Sequence, residues 1–280
     1  MITTKKSGPG LLLKTGLVGL IISVLSAGAM AQRGSMTESG KPAAHAGQQP
    51  INNLPNPYVT ERNFGSLPDG RSWGSVSAID IDPDGKSVWI AERCSSDSIR
   101  GGYPVRGCAE SDLPVILKFN SSGDMVRSFG SGIFAVPHGF HVDHDGNIWV
   151  TDAPFNLPPG VEGKGHVVVK FSPLGDRLMT LGTPGVPGNG QNHFNMPSDV
   201  HVAPNGDIFV ADGHGGDSNG RIVKFDSQGN YLMEWGRPGS GPGEFDTPHG
   251  LAMDSHCLLY TSDAADDTPC VDLGGRRIIK

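Results

Sequence analysis

Pro137 to Asp152 reads PHGFHVDHDGNIWVTD. Phe140 and Val142, then Ile148 and Val150, alternate with their neighbours at period two, the pattern of half-buried strands. Asp145-Gly146-Asn147 between the two runs is hairpin chemistry, because glycine adopts positive φ without steric cost. His138 stands at the strand entrance, between Pro137 and Gly139. The same wording recurs. Pro197 to Asp212 is PSDVHVAPNGDIFVAD, and Val76 to Glu92 is VSAIDIDPDGKSVWIAE with one extra residue in the turn. A fourth copy opens at Pro248 as PHGLAMD.

Each copy is followed by a second pair of strands. VILKFN (115–120) turns at Ser122-Gly123-Asp124, VVVKFS (167–172) at Leu174-Gly175-Asp176, and IVKFD (222–226) at Gln228-Gly229-Asn230. The unit is therefore four short strands, repeated every 50–60 residues or so. Four strands per repeat around an axis is the signature of a β-propeller. No window shows helical periodicity. The fold class expected is all-β, an incomplete propeller.

Composition agrees. Gly 41 and Pro 22 punctuate apolar runs rather than forming tracts, which fits many turns. A net charge of −7 argues against a nucleic-acid surface and suits cation binding. Residues 1–31 read as a signal peptide. Lys5, Lys6 and Lys14 precede an apolar core over 17–25, and Ala29-Met30-Ala31 is a small-residue cleavage pattern. The expected product is secreted or periplasmic, cleaved after Ala31, with no membrane contact thereafter. Residues 32–60 read as a flexible linker and 61–256 as the partial propeller. In an exported chain Cys94 and Cys108, which bracket a Gly/Ser-rich loop, are expected to form a disulfide.

The K-F-x-x-x-G and P-x-x-V-x-V-x-x-x-G-x-I-x-V-x-D patterns resemble NHL repeats. PHGFHVDHDGNIWVTD, GQNHFNMPSDVHV (190–202), DIFVADGHG, RIVKF and PGEFDTPHGLAMD together resemble the catalytic core of peptidyl-α-hydroxyglycine α-amidating lyases, from about Val76 to Asp254. The resemblance implies a six-bladed propeller. Only three full copies and the start of a fourth are present, so truncation is expected, with blades unclosed. After Ser255-His256 the repeat wording stops. CLLYTSDAADDTPCVDLGGRRIIK (257–280) resembles translated sequencing-adaptor read-through and reads as a non-native tail.

His138 and His249 occupy equivalent places, each as Pro-His-Gly, while Ser77 and Ser198 fill that place in the other copies. Imidazoles that converge on a propeller channel can share one metal, and three with an open fourth position make catalytic zinc geometry. The resemblance implies that His138 and His249 are two of three zinc ligands, the third expected from a later blade. It also implies a calcium ion held by the backbone carbonyls of Ile79 and Phe140, residues otherwise expected in the strand core.

Arg93 ends the first copy where the family has an active-site arginine. It reads either as a carboxylate-binding group or as a surface residue paired with Glu92 or Asp97. His214, in Asp212-Gly213-His214-Gly215, stands where the family carries an active-site tyrosine. It is open to three roles: moving a proton, holding metal, or marking a different specificity. Asp143-x-Asp145-Gly146 resembles the start of a calcium loop but lacks its final Glu, and reads as a hairpin turn.

The reaction implied is cleavage of peptidyl-α-hydroxyglycine to peptide amide and glyoxylate, with zinc and calcium as cofactors and a peptide or small molecule as substrate. The chain as it stands is expected to be inactive for want of the third ligand. Two alternatives are kept. One is a non-catalytic propeller that binds a protein or saccharide, and the other is a different metal-dependent reaction such as lactone hydrolysis.

Overall fold

The computed structural model describes residues 57–94, 107–154, 163–263 and 276–278. The expected signal segment 1–31, most of the linker 32–60 and residues 264–275 lie outside the described residues. The chain divides into two compact units, Met1–Val59 and Thr60–Lys280, and the strands among the described residues belong to the second. The described residues contain no helix.

Alternation and turn glycines produce four antiparallel sheets, each built from consecutive strands. The first is β1 (Ser75–Ile81), β2 (Val88–Arg93), β3 (Ile116–Phe119) and β4 (Met125–Phe129). The second is β5 (Pro137–Val142), β6 (Ile148–Asp152), β7 (Val167–Phe171) and β8 (Arg177–Leu181). The third is β9 (Pro197–Val202), β10 (Ile208–Asp212), β11 (Arg221–Phe225) and β12 (Tyr231–Trp235). The fourth is β13 (Pro248–Met253), β14 (Leu259–Asp263) and β15 (Arg276–Ile278). This is an all-β, NHL-type partial propeller whose blades are these sheets.

The repeat wording has a packing reason. The phenylalanines of the Lys-Phe pairs, Phe119, Phe171 and Phe225, are all at most 1% exposed. The lysines beside them lie over the aromatic ring of the second strand. Lys118 sits 5.1 Å from the Trp89 ring centroid, Lys170 5.0 Å from Trp149 and Lys224 5.3 Å from Phe209. Each also reaches a turn carboxylate, as Lys118 does Asp82 at 2.6 Å. In the Asp143 turn, Oδ1 accepts Asp145 N at 3.0 Å and Asn147 N at 2.8 Å, and Oδ2 accepts Trp149 Nε1 at 2.9 Å. That is turn and core chemistry, as the hairpin reading expects.

Successive blades pack through their first strands, β1 on β5, β5 on β9 and β9 on β13. Cores form between sheets: Trp89, Phe134, Phe140 and Phe171 between the first two, and Trp149, Phe194, Val200 and Phe225 between the next two. Hydrogen bonds tie the first strands together. Val142 N donates to Asp80 Oδ2 at 2.8 Å, Leu251 N to Asp199 Oδ2 at 2.8 Å, and Ser198 Oγ to Pro248 O.

One expectation needs correction. Ile79 is not core: it is 63% exposed, with Ile81 at 64% and Val76 at 49%, whereas Phe140 is 8% exposed. The equivalent residues of later blades pack on the preceding sheet, and no sheet among the described residues covers that face of β1. Past His256 the described residues continue the fourth sheet. Asp254 N bonds to Leu258 O at 3.0 Å and Cys257 N to Asp254 O at 2.9 Å, the same turn that Asp143 and Gly146 make. Leu259–Asp263 then pairs with β13. Cys257 takes the glycine place of this turn, at φ 59° against 80° for Gly146.

Candidate metal centre

The first strands carry an irregularity at the place of His138. Register shifts fall between Val76 and Ala78, between Pro137 and Phe140, and between Pro248 and Gly250. In the third blade Asp212 pairs with Pro197 while Ala211 pairs with Asp199. The skipped residues include Ser77, His138, Ser198 and His249. A β-bulge turns a side chain off the strand's alternation, and here it does so at one position in all four blades. Gly139 is part of the same geometry. A Cβ there would lie 2.4 Å from Ser198 O and 2.5 Å from Asp199 Cα, so only glycine lets β9 come this close.

The third histidine arrives on a loop. Past the end of β10, Gly213 runs so close to Asn219 that a Cβ would sit 1.5 Å from its carbonyl oxygen. Gly213 N donates to Met196 O at 3.2 Å, and His214 N to Ser218 Oγ at 2.7 Å. Below the loop, buried Asp212 accepts Asn195 N, Asn219 Nδ2 and Arg221 Nε at 2.8, 2.8 and 2.9 Å. Arg221 directs its remaining donors to Glu234 Oε2 and to the carbonyls of Asn189, Gly190 and His193. The loop therefore rests on a fully engaged ionic network.

His138, His214 and His249 converge, with candidate ligand nitrogens all within 4.8 Å of one another. His138 Nε2 lies 3.0 Å from His214 Nε2, and the ring centroids are 4.8, 4.8 and 5.3 Å apart. A tetrahedral ion with metal–nitrogen bonds of about 2.0–2.1 Å needs nitrogens roughly 3.3 Å apart, so closure calls for shifts of about 1 Å or less. The donor chemistry fits as well. His138 Nδ1 donates to Ser198 O at 2.8 Å, which fixes the tautomer and leaves the Nε2 lone pair facing the cluster.

Electrostatics favour the neutral form of His138 and His214. Burial lowers His138 well below the ordinary imidazole range, and the nearby charges of His214, Arg93 and His249 add to this, opposed by the Ser198 carbonyl. Burial first, then His249 and Arg93, brings His214 down to about 4. Neutral imidazole is the metal-binding form.

Arg93 Nε donates to Pro137 O at 3.2 Å, one residue before His138. Burial lowers its guanidinium below the usual arginine range, yet it remains a cation at any working pH. Glu92, the alternative partner, is buried and receives Arg71 and, at 2.6 Å, Gly74 N. Asp97 lies outside the described residues. The expected disulfide is present between Cys94 and Cys108. Ile79 and Phe140 hold equivalent places on β1 and β5, and calcium ligation by their carbonyls rests on the resemblance alone. Of the other histidines, His141 stacks on His201 at 4.5 Å and faces Asp80 at 3.4 Å. His166 Nδ1 accepts Met196 N at 3.2 Å.

The sequence placed two of the three histidines together and left His214 open. A third His at a loop after β10, one residue past an Asp-Gly pair, was the available signal, but its direction depends on the Gly213 close approach, which has no period.

Fold and site together define a β-propeller of NHL type with a three-histidine centre. The chain is similar to proteins of two kinds. The chain is 34% identical to a peptidyl-glycine alpha-amidating monooxygenase of Mus musculus over 199 residues, 65% of this chain and 19% of that one. It is 39% identical to a probable peptidyl-alpha-hydroxyglycine alpha-amidating lyase of Caenorhabditis elegans over 131 residues, 46% of this chain and 34% of that one. It is 32% identical to NHL repeat-containing protein 3 of Homo sapiens over 172 residues, 60% of this chain and 47% of that one. The chain thus spans between a fifth and a half of these relatives' own lengths. No family model matches it. A virginiamycin B lyase structure from Staphylococcus aureus aligns at 17% identity and TM-score 0.45, covering 70% of this chain and 51% of that one, too loosely to carry a conclusion.

Proposed function

We propose that the chain carries a metal-dependent carbon–nitrogen lyase site that cleaves peptidyl-α-hydroxyglycine to peptide amide and glyoxylate. The observation that carries this reading is the convergence of His138, His214 and His249 beside the cation of Arg93. Similarity to proteins named amidating lyases supplies the reaction class.

His138, His214 and His249 would hold zinc, each offering one ring nitrogen. Zinc, when bound, supplies a Lewis acid toward the substrate's hydroxyl oxygen. Arg93 offers its fork of N–H donors to the substrate's carboxylate and so orients the C–N bond. The net change moves one proton from the hydroxyl oxygen to the amide nitrogen as the C–N bond breaks and the C=O of glyoxylate forms. With His214 in the ligand set, the site has three nitrogens within this chain, and the inactivity expected for want of a third ligand no longer follows. Calcium between the first strands and export after Ala31 belong to the same reading and rest on the sequence.

The test is glyoxylate release from an α-hydroxyglycyl peptide by the zinc-loaded chain. Release that chelator abolishes and Arg93→Ala weakens supports the reading. No release from protein shown to hold zinc removes it. A second reading, a propeller that binds a partner, is favoured by the exposed Val76, Ile79 and Ile81 on β1 and by the likeness to an NHL repeat-containing protein. It survives only if that assay fails.

A further inference from the structure

The residue after Arg93 is Cys94, and its disulfide to Cys108 joins a closed circuit around the site. Cys108 is 2% exposed, and its N–H donates to Ala135 O at 2.7 Å. Gly107, at φ 52°, permits this approach, since a Cβ there would meet Ala135 O at 2.4 Å. The segment it touches is rigid. Buried Asp152 accepts Ala135 N at 2.8 Å and Val136 N at 2.6 Å. Two residues beyond Ala135, Pro137 gives its carbonyl to Arg93 Nε at 3.2 Å. The path Arg93, Cys94, Cys108, Ala135, Pro137 therefore returns to Arg93. One link is covalent across the chain, two are hydrogen bonds, and the residue after Pro137 is His138.

We propose that the Cys94–Cys108 disulfide is the positioning device for Arg93, holding its guanidinium beside the three-histidine centre, and that opening the bond loosens Arg93 without releasing the histidines. The histidines depend on other supports. His138 is held by the β5 bulge and Ser198 O, His214 by the Gly213 loop and the Asp212–Arg221 network, and His249 by β13. Without the disulfide, the end of β2 keeps its ladder to Ser75 but loses its covalent tie to Cys108 and, through Cys108, to Ala135 at the strand entrance of the second blade. Function then splits. Affinity for an anionic group beside the metal falls, while metal affinity does not. The chemistry of opening is ordinary exchange: a dithiol gives two electrons and two protons to the S–S bond, forms its own disulfide and leaves two cysteine thiols.

The proposal uses Arg93 as the carboxylate-binding group and so rests in part on the lyase reading, but its main test needs no turnover. The full chain, the same chain reduced with a dithiol, and the Cys94→Ser/Cys108→Ser double variant are each treated with phenylglyoxal. Modification of Arg93 is read by peptide mass spectrometry against Arg221, whose donors are engaged, as internal reference. Cobalt binding is measured on the same samples. The expected result is a several-fold faster modification of Arg93 in both opened forms, one cobalt per chain throughout, and return to the slow rate on reoxidation. An unchanged Arg93 rate in reduced protein that still binds cobalt overturns the proposal. So does loss of cobalt together with Arg93 protection, which makes the disulfide a general fold staple. Where lyase activity is measurable, a several-fold rise in KM with kcat nearly unchanged is the matching kinetic signature. Failure of that arm alone counts against the lyase reading, not against the positioning of Arg93.

Discussion

Gly139→Ala probes the link between blade packing and the metal centre. The new Cβ would stand 2.4 Å from Ser198 O, 2.5 Å from Asp199 Cα and 2.7 Å from Asp199 Oδ1, where ordinary contact begins at 3.4 Å. None of these atoms yields easily. Two are main chain, and the third belongs to a carboxylate pinned by Val200 N at 2.9 Å and Leu251 N at 2.8 Å. The strands β5 and β9 must therefore separate by about 1 Å, and overpacking of this kind costs about 1–3 kcal/mol, here at the upper end. The same movement takes the 2.8 Å bond from His138 Nδ1 to Ser198 O beyond hydrogen-bonding range. Removing such an outer support of a metal-binding histidine weakens metal binding about 10–100-fold. Urea unfolding of metal-free protein reads the first effect, and competition with a chromophoric chelator reads the second. A variant as stable as the parent, with the same metal affinity, would refute both the close approach and the role of Ser198 in orienting His138.

Arg221→Lys should lower stability by about 3 kcal/mol or more in urea unfolding, because one ammonium cannot replace five donors and leaves buried Asp212 underpaired. His166→Asn should flatten the pH dependence of metal-free stability. His166 is brought down to about 4 by burial, below its unfolded value, so its contribution is present at neutral pH and lost as pH falls from about 6.5 to 4. Asparagine keeps an acceptor for Met196 N and tolerates the φ of 59°. The slope should fall by at most about 1.4 kcal/mol per pH unit, less because solvent screens this half-buried ring. Cys257→Gly should stabilise the fourth blade by about 0.5–1 kcal/mol, since it relieves a left-handed residue at the turn. A thermal melt checks it.

Wherever periodicity carries information, the sequence was sufficient. The Phe140, Val142, Ile148, Val150 alternation and the Lys-Phe pairs correspond to strands and to buried rings under lysines. The equivalence of His138 and His249 was legible because both repeat one position of one unit. Strict alternation, however, places His138 and Phe140 on the same strand face, whereas the bulge at that position separates their directions. A bulge has no composition signal beyond Gly139, and Gly139 explains itself only once Ser198 and Asp199 are seen against it. The partnership of His214 was not legible for a similar reason, as a loop residue has no repeat mate. Ile79 read as core because its repeat mates are core, but burial belongs to pairs of sheets. The fourth blade shows the converse. Cys257 broke the glycine wording, yet Leu259, Tyr260 and Thr261 kept the alternation, and the turn bonds at Asp254 kept the register.

The three-histidine centre itself is tested most directly by metal stoichiometry. Cobalt titration, followed by its visible absorption and by equilibrium dialysis, should show one tightly held ion per chain with a tetrahedral spectrum. His138→Ala, His249→Ala and His214→Ala should each abolish that spectrum. His214→Ala is the decisive variant, because this side chain joins the other two through folding rather than through the repeat. A His214→Ala protein that binds cobalt with the parent's affinity and spectrum would contradict the account.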